Sequence, residues 1–193
     1  MNPSQLSGSS TDVNAHNPPR IFIDGQAGTT GLQIAERLCA RDDLALLTIA
    51  DSDRKSDAAR AALMAQSDIT ILCLPDAAVP AAVQLANGQC RLLDASSVHR
   101  TAEDWVYGLP ELGSDQRRRI ASSAKVSNPG CYPQGPILML RPLIEAGWLD
   151  PALPRTVHAV SGYSGGGRQM IEAYRAFSSV EAERFASRSY ALN

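Results

Sequence analysis

The amino-acid sequence predicts an α/β fold in which a parallel sheet is flanked by helices on both faces. Short apolar runs alternate with longer segments whose apolar residues recur at helical spacing. The apolar runs are nearly continuous, as expected of strands that are buried on both faces. The chain has 193 residues, of which 44% are hydrophobic, so it can bury a substantial core.

The strand–helix alternation is regular in the first half of the chain. Leu32, Ala35, Leu38 and Cys39 are predicted to form the buried stripe of the first helix. Gly88 stands where a helix would stop. The predicted strands are 20–24, 44–51, 68–75 and 90–96, and the predicted helices between them are 29–42, 55–66 and 76–88.

After Ser97 the alternation becomes less regular. The predicted elements are a structured loop with one extended piece (97–113), a last strand of the first domain (124–128), a helix (133–149), a strand (155–164) and a helix (168–185). The last three elements are too few for an independent core. We therefore predict a flexible polar leader over 1–19, a first domain over 20–128 and a partial second domain over 129–193.

Composition argues against several kinds of partner. The net charge of −2 provides no electrostatic footprint for nucleic acid or an anionic membrane. No segment approaches the ~20 apolar residues that cross a bilayer, and the leader lacks the apolar core of a signal peptide. The four cysteines show neither a CxxC pair nor metal-ligand spacing, so we expect no metal site. Three of them, Cys39, Cys73 and Cys90, are expected to be small buried side chains in a reducing, cytoplasmic protein.

The glycine-rich turn DGQAGTTG follows the first predicted strand and opens the first predicted helix. Gly25, Gly28 and Gly31 form GxxGxxG, a variant of the dinucleotide fingerprint, in which free N–H groups at the helix start attract a pyrophosphate. Thr29 and Thr30 are expected to cap the helix and to donate hydroxyl groups to a phosphate oxygen. Simple turn chemistry is the alternative, but the position favours nucleotide binding and a Rossmann-type sheet, making 20–128 a dinucleotide-binding domain.

The residues after the second predicted strand bear on the choice of cofactor. Asp51 lies about 20 residues beyond the last fingerprint glycine, where a carboxylate would bind the 2′-hydroxyl of NAD. Ser52, Arg54 and Lys55 lie beside it, and cations there suit the 2′-phosphate of NADP. A solvated charged turn is the alternative. We predict NADP (NADPH when reduced) over NAD, with Ser52 and Arg54 as its contacts.

A cysteine directly follows Asn-Pro-Gly in the stretch VSNPGCYPQG. Gly130 permits a sharp turn, and amide groups at the start of a helix stabilise the thiolate that is the reactive form of cysteine. The same amides could form part of an oxyanion hole. Cys131 is therefore either a nucleophile at a helix N-terminus or an incidental buried cysteine in a turn.

Four stretches together carry a family resemblance: DGQAGTTGLQI, DASSVHRT…WVYGLPEL, SNPGCYPQG and HAVSGYSGGGR. From about residue 20 to its last residue the chain resembles the N-acetyl-gamma-glutamyl-phosphate reductases of the shorter bacterial type. The resemblance implies a semialdehyde-dehydrogenase-like substrate domain over 129–193, a small-molecule substrate and a homo-oligomer. It also implies that Cys131 attacks the γ-acyl phosphate of N-acetylglutamate and forms a thioester, which NADPH reduces to the semialdehyde.

Other side chains are candidates for binding the substrate. Arg100, in DASSVHR, could bind the phosphate bidentately, with a surface salt bridge as the alternative. Arg168, after three glycines, could bind a carboxylate. His99 is expected to be an exposed loop histidine, although it could assist Arg100, and His158 is expected to lie in the core of a strand.

The sequence also departs from the family pattern. Family members continue further and use a later histidine, followed shortly by Pro-Glu, as the acid–base partner of the thiol. His16, His99 and His158 do not occur in that context. We therefore expect this chain to be a fragment. The alternatives are a catalytically impaired remnant that only binds nucleotide, and another semialdehyde dehydrogenase such as the aspartate enzyme, against which VYGLPEL argues.

Overall fold

The computed structural model describes residues 17–26 and 28–176. Within them the strands are β1 (Arg20–Asp24), β2 (Ala45–Leu47), β3 (Ile69–Leu72), β4 (Arg91–Asp94), β5 (Val106–Tyr107) and β6 (Lys125–Ser127). The helices are α1 (Thr29–Cys39), α2 (Asp57–Gln66), α3 (Val79–Ala86), α4 (Gln116–Ser122), α5 (Cys131–Glu145) and α6 (Gly167–Ala176). The strands form one parallel sheet in the order β2-β1-β3-β4-β6-β5.

Helices cover both faces of this sheet, because successive side chains of each strand point in opposite directions. On one face, Phe22 of β1 and Leu72 of β3 pack against Met64 of α2 and Val79 of α3. On the other face, Ile21, Ile23 and Ile71 pack against α1. The predicted Rossmann-type parallel sheet is confirmed.

The sheet order places a topological switch point between β1 and β3. The chain moves from β1 to β2 on one side and then crosses over to β3 on the other side of β1. In open parallel sheets, ligands bind in the crevice outside the carboxyl ends of the strands at such a point. The glycine-rich turn that follows β1 therefore lies where a ligand is expected.

The buried stripe of α1 differs from the predicted one. Ile34, Ala35 and Leu38 pack on the sheet, whereas Leu32 is 54% exposed and Cys39 is exposed. A shift of one residue turns a side chain by about 100° around a helix, so Leu32 and Cys39 lie off the buried stripe. The prediction that Cys39 is buried was wrong.

The later part of the chain corrects three predictions. The short helix α4 was not predicted. No strand forms over 155–162, which is exposed throughout, because no described residue offers it a backbone partner. His158 is accordingly exposed rather than a core histidine. Most of the predicted leader and residues 177–185 of the last predicted helix lie outside the described residues.

Candidate active site

The first feature of the site is the β1–α1 corner, residues 24–31. Gly25 has a φ of +91°, and a Cβ there would overlap the carbonyl oxygen of Cys73, the residue that follows β3. A Cβ at Gly31 would lie 2.5 Å from the Gly25 carbonyl oxygen. The fold itself therefore requires both glycines, one for the turn and one for the close packing of α1 on the turn.

Gly28, the middle glycine, is the N-cap residue of α1, with φ −73° and ψ 161°. No described side chain caps this helix end, so amide groups of the first turn are available to a ligand. The expectation that Thr29 and Thr30 cap the helix was wrong, because the helix begins at Thr29 and Thr30 lies within it. A Cβ at Gly28 would lie 3.3 Å from the Gly25 carbonyl oxygen, a tight but possible contact. This cradle fits the pyrophosphate of a dinucleotide.

A buried ion pair between Arg60 and Asp24, which sequence reasoning missed, lies next to this corner. Arg60 of α2 donates to both carboxylate oxygens of Asp24, at 3.0 and 2.7 Å, and to Asp57 at 2.9 Å. The hydrogen bonds to Asp24 raise the pKa of Arg60. The pair ties the start of α2 to the end of β1. An aspartate that ends an apolar strand was the signal in the sequence.

The segment after β2 carries the residues that bear on cofactor choice. Strand β2 ends at Leu47, well before the predicted end at 51, and Asp51–Asp53 form a 3₁₀ turn. Arg54 is paired with Asp51 at 2.6 Å, and Ser52 donates to Asp53 at 3.1 Å. The 2′-phosphate of NADP would have to replace Asp51 as the partner of Arg54. The 2′-hydroxyl of NAD would instead have to replace Arg54 as the partner of Asp51.

The second feature is the β6–α5 corner, residues 127–131. Cys131 is the first residue of α5 and is exposed, which removes the alternative of a buried cysteine. Gly130 is the N-cap residue, with φ −71° and ψ 157°, and the described residues supply no side-chain cap. Amide groups at this helix start can stabilise a thiolate or an oxyanion.

Arg100 lies against the same corner. Its Nε donates to the carbonyl oxygen of Asn128 at 3.3 Å, and a Cβ at Gly130 would lie 2.5 Å from its Nη1. Within the described residues Arg100 pairs with no carboxylate, so the salt-bridge alternative was wrong there. A guanidinium at a helix N-terminus places two positive groups together. Together they form an attractive site for an anion.

His99 is not the exposed loop histidine that was expected. Its side chain is 14% exposed, and its Nδ1 donates to Asp94 Oδ2 at 2.7 Å. Asp94, at the end of β4, is fully buried and also accepts from the backbone and hydroxyl of Ser96. The ring of His99 stacks on Trp105, with centroids 4.0 Å apart. Sequence reasoning did not identify Asp94 or Trp105.

The thiols of Cys73 and Cys90 are partly buried, whereas that of Cys131 is exposed. Burial, followed by the nearby Asp24 and Asp94 carboxylates, raises the pKa of Cys73 to about 11. Cys90 donates to Thr70 Oγ1 at 3.4 Å. A thiol like Cys73 stays protonated at neutral pH and is a poor nucleophile.

Two residues considered in the sequence analysis lie outside what the structure describes. They are His16 and, for its side chain, Arg168. Where side chains are described, no three His, Cys, Asp or Glu groups converge as metal ligands. None of the described helices combines the length and apolar character needed to cross a membrane.

Comparison with known proteins supports the resemblance seen in the sequence. A family model described as the semialdehyde dehydrogenase NAD binding domain matches residues 20–120. A second, described as the semialdehyde dehydrogenase dimerisation domain, matches residues 131–191. Two solved structures share the fold with a TM-score of 0.56: aspartate semialdehyde dehydrogenase from Francisella tularensis (15% identity, 86% of this chain and 54% of that chain) and aspartate semialdehyde dehydrogenase II from Vibrio cholerae (17%, 91% and 56%).

Curated relatives are more similar in sequence. N-acetyl-gamma-glutamyl-phosphate reductase 2 from Nostoc sp. is 54% identical over 83% of this chain and 50% of its own length. The reductase 2 of Pseudomonas putida is 54% identical over 81% and 50%, and the reductase of Burkholderia ambifaria is 51% identical over 86% and 53%. The chain thus spans about half the length of the curated relatives it matches. These relatives confirm the resemblance to the N-acetyl-gamma-glutamyl-phosphate reductases, and the chain belongs to the semialdehyde dehydrogenase family.

Proposed function

We propose that the whole protein catalyses the NADPH-dependent reduction of N-acetyl-γ-glutamyl phosphate to N-acetylglutamate 5-semialdehyde and phosphate, a step of arginine biosynthesis. One observation carries the proposal: an exposed cysteine, Cys131, opens a helix beside Arg100, whose charge is not paired with a carboxylate in the described residues. The names of the curated relatives support the choice of substrate.

The two corners lie on the same edge of the sheet, because all the strands are parallel. Strands β3 and β4 lie between β1 and β6, and three spacings of about 4.8 Å separate the corners by about 14 Å. A dinucleotide whose pyrophosphate binds at Gly28 would extend along this edge towards Cys131. This arrangement supports the proposal that the cradle and the thiol serve one shared reaction.

The acyl transfer follows from the groups at the β6–α5 corner. The Cys131 thiolate attacks the acyl carbon, and amide groups at the start of α5 stabilise the oxyanion that forms. Arg100 binds the phosphate as the carbon–oxygen bond breaks, and a thioester remains on Cys131. The nicotinamide of a bound cofactor would supply a hydride to this thioester. Hydride addition would leave an alkoxide on the former acyl carbon, which would expel Cys131 as a thiolate and release the aldehyde.

Other residues complete the proposed site. Gly25, Gly28 and Gly31 hold the pyrophosphate, with hydroxyl groups from Thr29 and Thr30 as further donors. The remaining proposed contacts are Ser52 and Arg54 to the 2′-phosphate of NADP and Arg168 to a substrate carboxylate. We also propose a cytoplasmic homo-oligomer, which the match to a dimerisation domain supports.

A second candidate function is nucleotide binding without catalysis. The glycine cradle lies entirely within the first domain and needs no residue of the second. In that case the protein binds NADP but Cys131 has no substrate. The likeness to aspartate semialdehyde dehydrogenases, at 15–17% identity, extends to the fold alone.

The test is the reverse reaction of the purified full-length protein. We expect phosphate-dependent reduction of NADP⁺ in the presence of N-acetylglutamate semialdehyde. Cys131→Ser should abolish it, whereas Cys39→Ser, which changes an exposed cysteine outside the site, should leave it unchanged. Equal activity with aspartate semialdehyde would contradict the proposed substrate. NADP binding without turnover would favour the non-catalytic alternative.

A further inference from the structure

We propose that the Asp94–His99 pair is a positioning device that holds the Arg100 guanidinium at the β6–α5 corner. The inference rests on the proposed function only in assigning Arg100 to the substrate phosphate. It adds roles for Asp94, His99 and Trp105, which lie beside the reacting groups rather than among them.

His99 is held by a hydrogen bond to Asp94 and by stacking on Trp105. Asp94 is fully buried, and as a carboxylate it can only accept, so His99 Nδ1 donates the 2.7 Å hydrogen bond. Trp105 covers one face of the imidazole in a nearly parallel stack, with an interplanar angle of 10°. The hydrogen bond and the stack together fix the orientation of the imidazole ring. Because Arg100 is the next residue, its backbone is fixed as well.

The loop between Asp94 and Arg100 is anchored along its length. Ser96 donates to Asp94 through both its backbone N–H and its hydroxyl, and the Ser96 hydroxyl accepts from the Val98 N–H at 3.2 Å. Ser97 donates to Asp76 through its hydroxyl and its backbone N–H. The backbone that leads to Arg100 is therefore held on the end of β4 and on the segment after β3.

The far end of Arg100, by contrast, is held weakly. Its contact with Asn128 is a single hydrogen bond of 3.3 Å, at the long end of the range. An ordered arginine loses considerable side-chain entropy, and the positive end of α5 repels its charge. The distal contacts alone do not account for its position. The anchored backbone at His99 supplies the missing constraint.

The Cys131 thiol can report the position of the Arg100 guanidinium, because both lie at the β6–α5 corner. Iodoacetate is an anion and iodoacetamide is its neutral counterpart, so the ratio of their alkylation rates at one thiol reports the local charge. The experiment uses the chain with Cys39→Ser, which removes another exposed thiol, and follows the Cys131 peptide by mass spectrometry. It requires neither substrate nor cofactor.

We expect Arg100→Gln to lower the iodoacetate-to-iodoacetamide ratio about threefold or more, as the loss of one charge at close range implies. His99→Phe keeps the stacking surface but loses the donor to Asp94, and should lower the ratio similarly. His99→Asn keeps a donor near the position of Nδ1 and should retain most of the ratio. The matched charge control is Arg37→Gln, an exposed arginine in the last turn of α1, at the opposite edge of the sheet from both corners, which should leave the ratio unchanged.

A second pair of variants keeps the test decisive if His99→Phe does not fold. Gln and Asn at position 99 are both polar amides, but only Asn places its donor where His99 Nδ1 lies, so His99→Gln should lower the ratio and His99→Asn should not. Equal ratios for these two variants, or a normal ratio in folded His99→Phe, would overturn the proposal. An unchanged ratio in Arg100→Gln would overturn it too, because Arg100 would then not act at Cys131.

The reductase assay separates this inference from the proposed function. If the protein has reductase activity, His99→Phe should raise the KM for the acyl phosphate more than it lowers kcat, and His99→Asn should restore the KM. If the protein has none, the alkylation ratios still decide where Arg100 lies. Failure of one experiment is therefore distinguishable from failure of the other.

Discussion

The β1–α1 corner and the β6–α5 corner have nearly the same backbone but differ in chemistry. The N-cap glycines, Gly28 and Gly130, have φ of −73° and −71° and ψ of 161° and 157°. Each follows a parallel strand, and the described residues supply no side-chain cap to either helix. In both corners the N-terminal end of the helix can attract an anion.

The difference lies in what surrounds each glycine. At the β1–α1 corner the neighbouring atoms are backbone, and the nearby cation, Arg60, is already paired with Asp24 and Asp57. At the β6–α5 corner the space beside Gly130 is taken by the Arg100 guanidinium. The first corner thus suits a diphosphate held by amides, and the second suits an anion that meets a cation and a thiol. The same backbone corner can serve binding or chemistry, depending on the side chain that reaches it.

The largest expected difference between the corners is in thiol reactivity. Cys73 lies beneath the first corner, and with a pKa of about 11 only about one in a thousand of its side chains is ionised at pH 8. We expect iodoacetamide to modify the exposed Cys131 at least about 100-fold faster than Cys73. Peptide mapping over time measures both rates. In urea the two rates should converge, and similar rates in the folded chain would contradict the contrast.

The glycine requirement at the first corner should appear as a loss of stability. Gly25→Ala combines a positive φ with overlap against the Cys73 carbonyl oxygen, so we expect the free energy of unfolding to fall by about 2–4 kcal/mol. Gly88→Ala is the matched control, because Gly88 has a φ of +70° and open space around it. Backbone strain alone should cost that variant about 1 kcal/mol. The free energies of unfolding of both variants are measured in urea, and their difference gives the steric contribution. Equal losses of unfolding free energy would show that the contact with the Cys73 carbonyl is unimportant.

Stability should fall between about pH 9 and 11. The pKa of Cys73 is raised in the folded state from 9.0 to about 11, so the unfolded thiol ionises first. This contribution is fully present below pH 9 and is lost as the pH rises through 11, by up to about 3 kcal/mol. The difference in unfolding free energy between the parent chain and Cys73→Ala should shrink over this range. Cys90→Ala serves as a control, and an equal trend there would assign the effect to other groups.

Gly28→Ala should weaken nucleotide binding with little effect on folding. The added methyl meets the Gly25 carbonyl oxygen at a tight 3.3 Å but lies on the approach to the free amide groups of α1. We expect about tenfold weaker NADP binding, equivalent to ~1.4 kcal/mol, by calorimetry. Gly135→Ala, in open space on α5, should bind normally. Unchanged affinity in Gly28→Ala would remove this corner from the nucleotide site.

The smallest effect is expected from Gly130→Ala. Its methyl group would displace the end of a flexible arginine side chain rather than backbone, so unfolding should change by less than about 1 kcal/mol. The iodoacetate preference at Cys131 should fall about twofold as Arg100 moves away. A large loss of stability instead would mean that Gly130, like Gly25, is required by backbone contacts.

The local parts of both corners could be read from the sequence. Strand, glycine and helix follow one another within a few residues, so periodicity and glycine spacing predicted the parallel sheet and placed Cys131 near the start of a helix. The absence of the last predicted strand and the exposure of His158 have one cause. Residues 155–164 have the composition of a strand, but a strand exists only where another backbone pairs with it.

The contacts that assemble the site were not readable in this way. Arg100 and Gly130 are thirty residues apart and meet only because β4 and β6 are neighbours in the sheet. Likewise, the buried end of β4 brings Asp94 to His99 in a loop without periodicity. By itself the sequence determined the class of fold, the glycine cradle and the cysteine, because these depend on local spacing. The tertiary structure alone decided which charges are paired and which stay available, because pairing depends on strand order and on distances across the sheet.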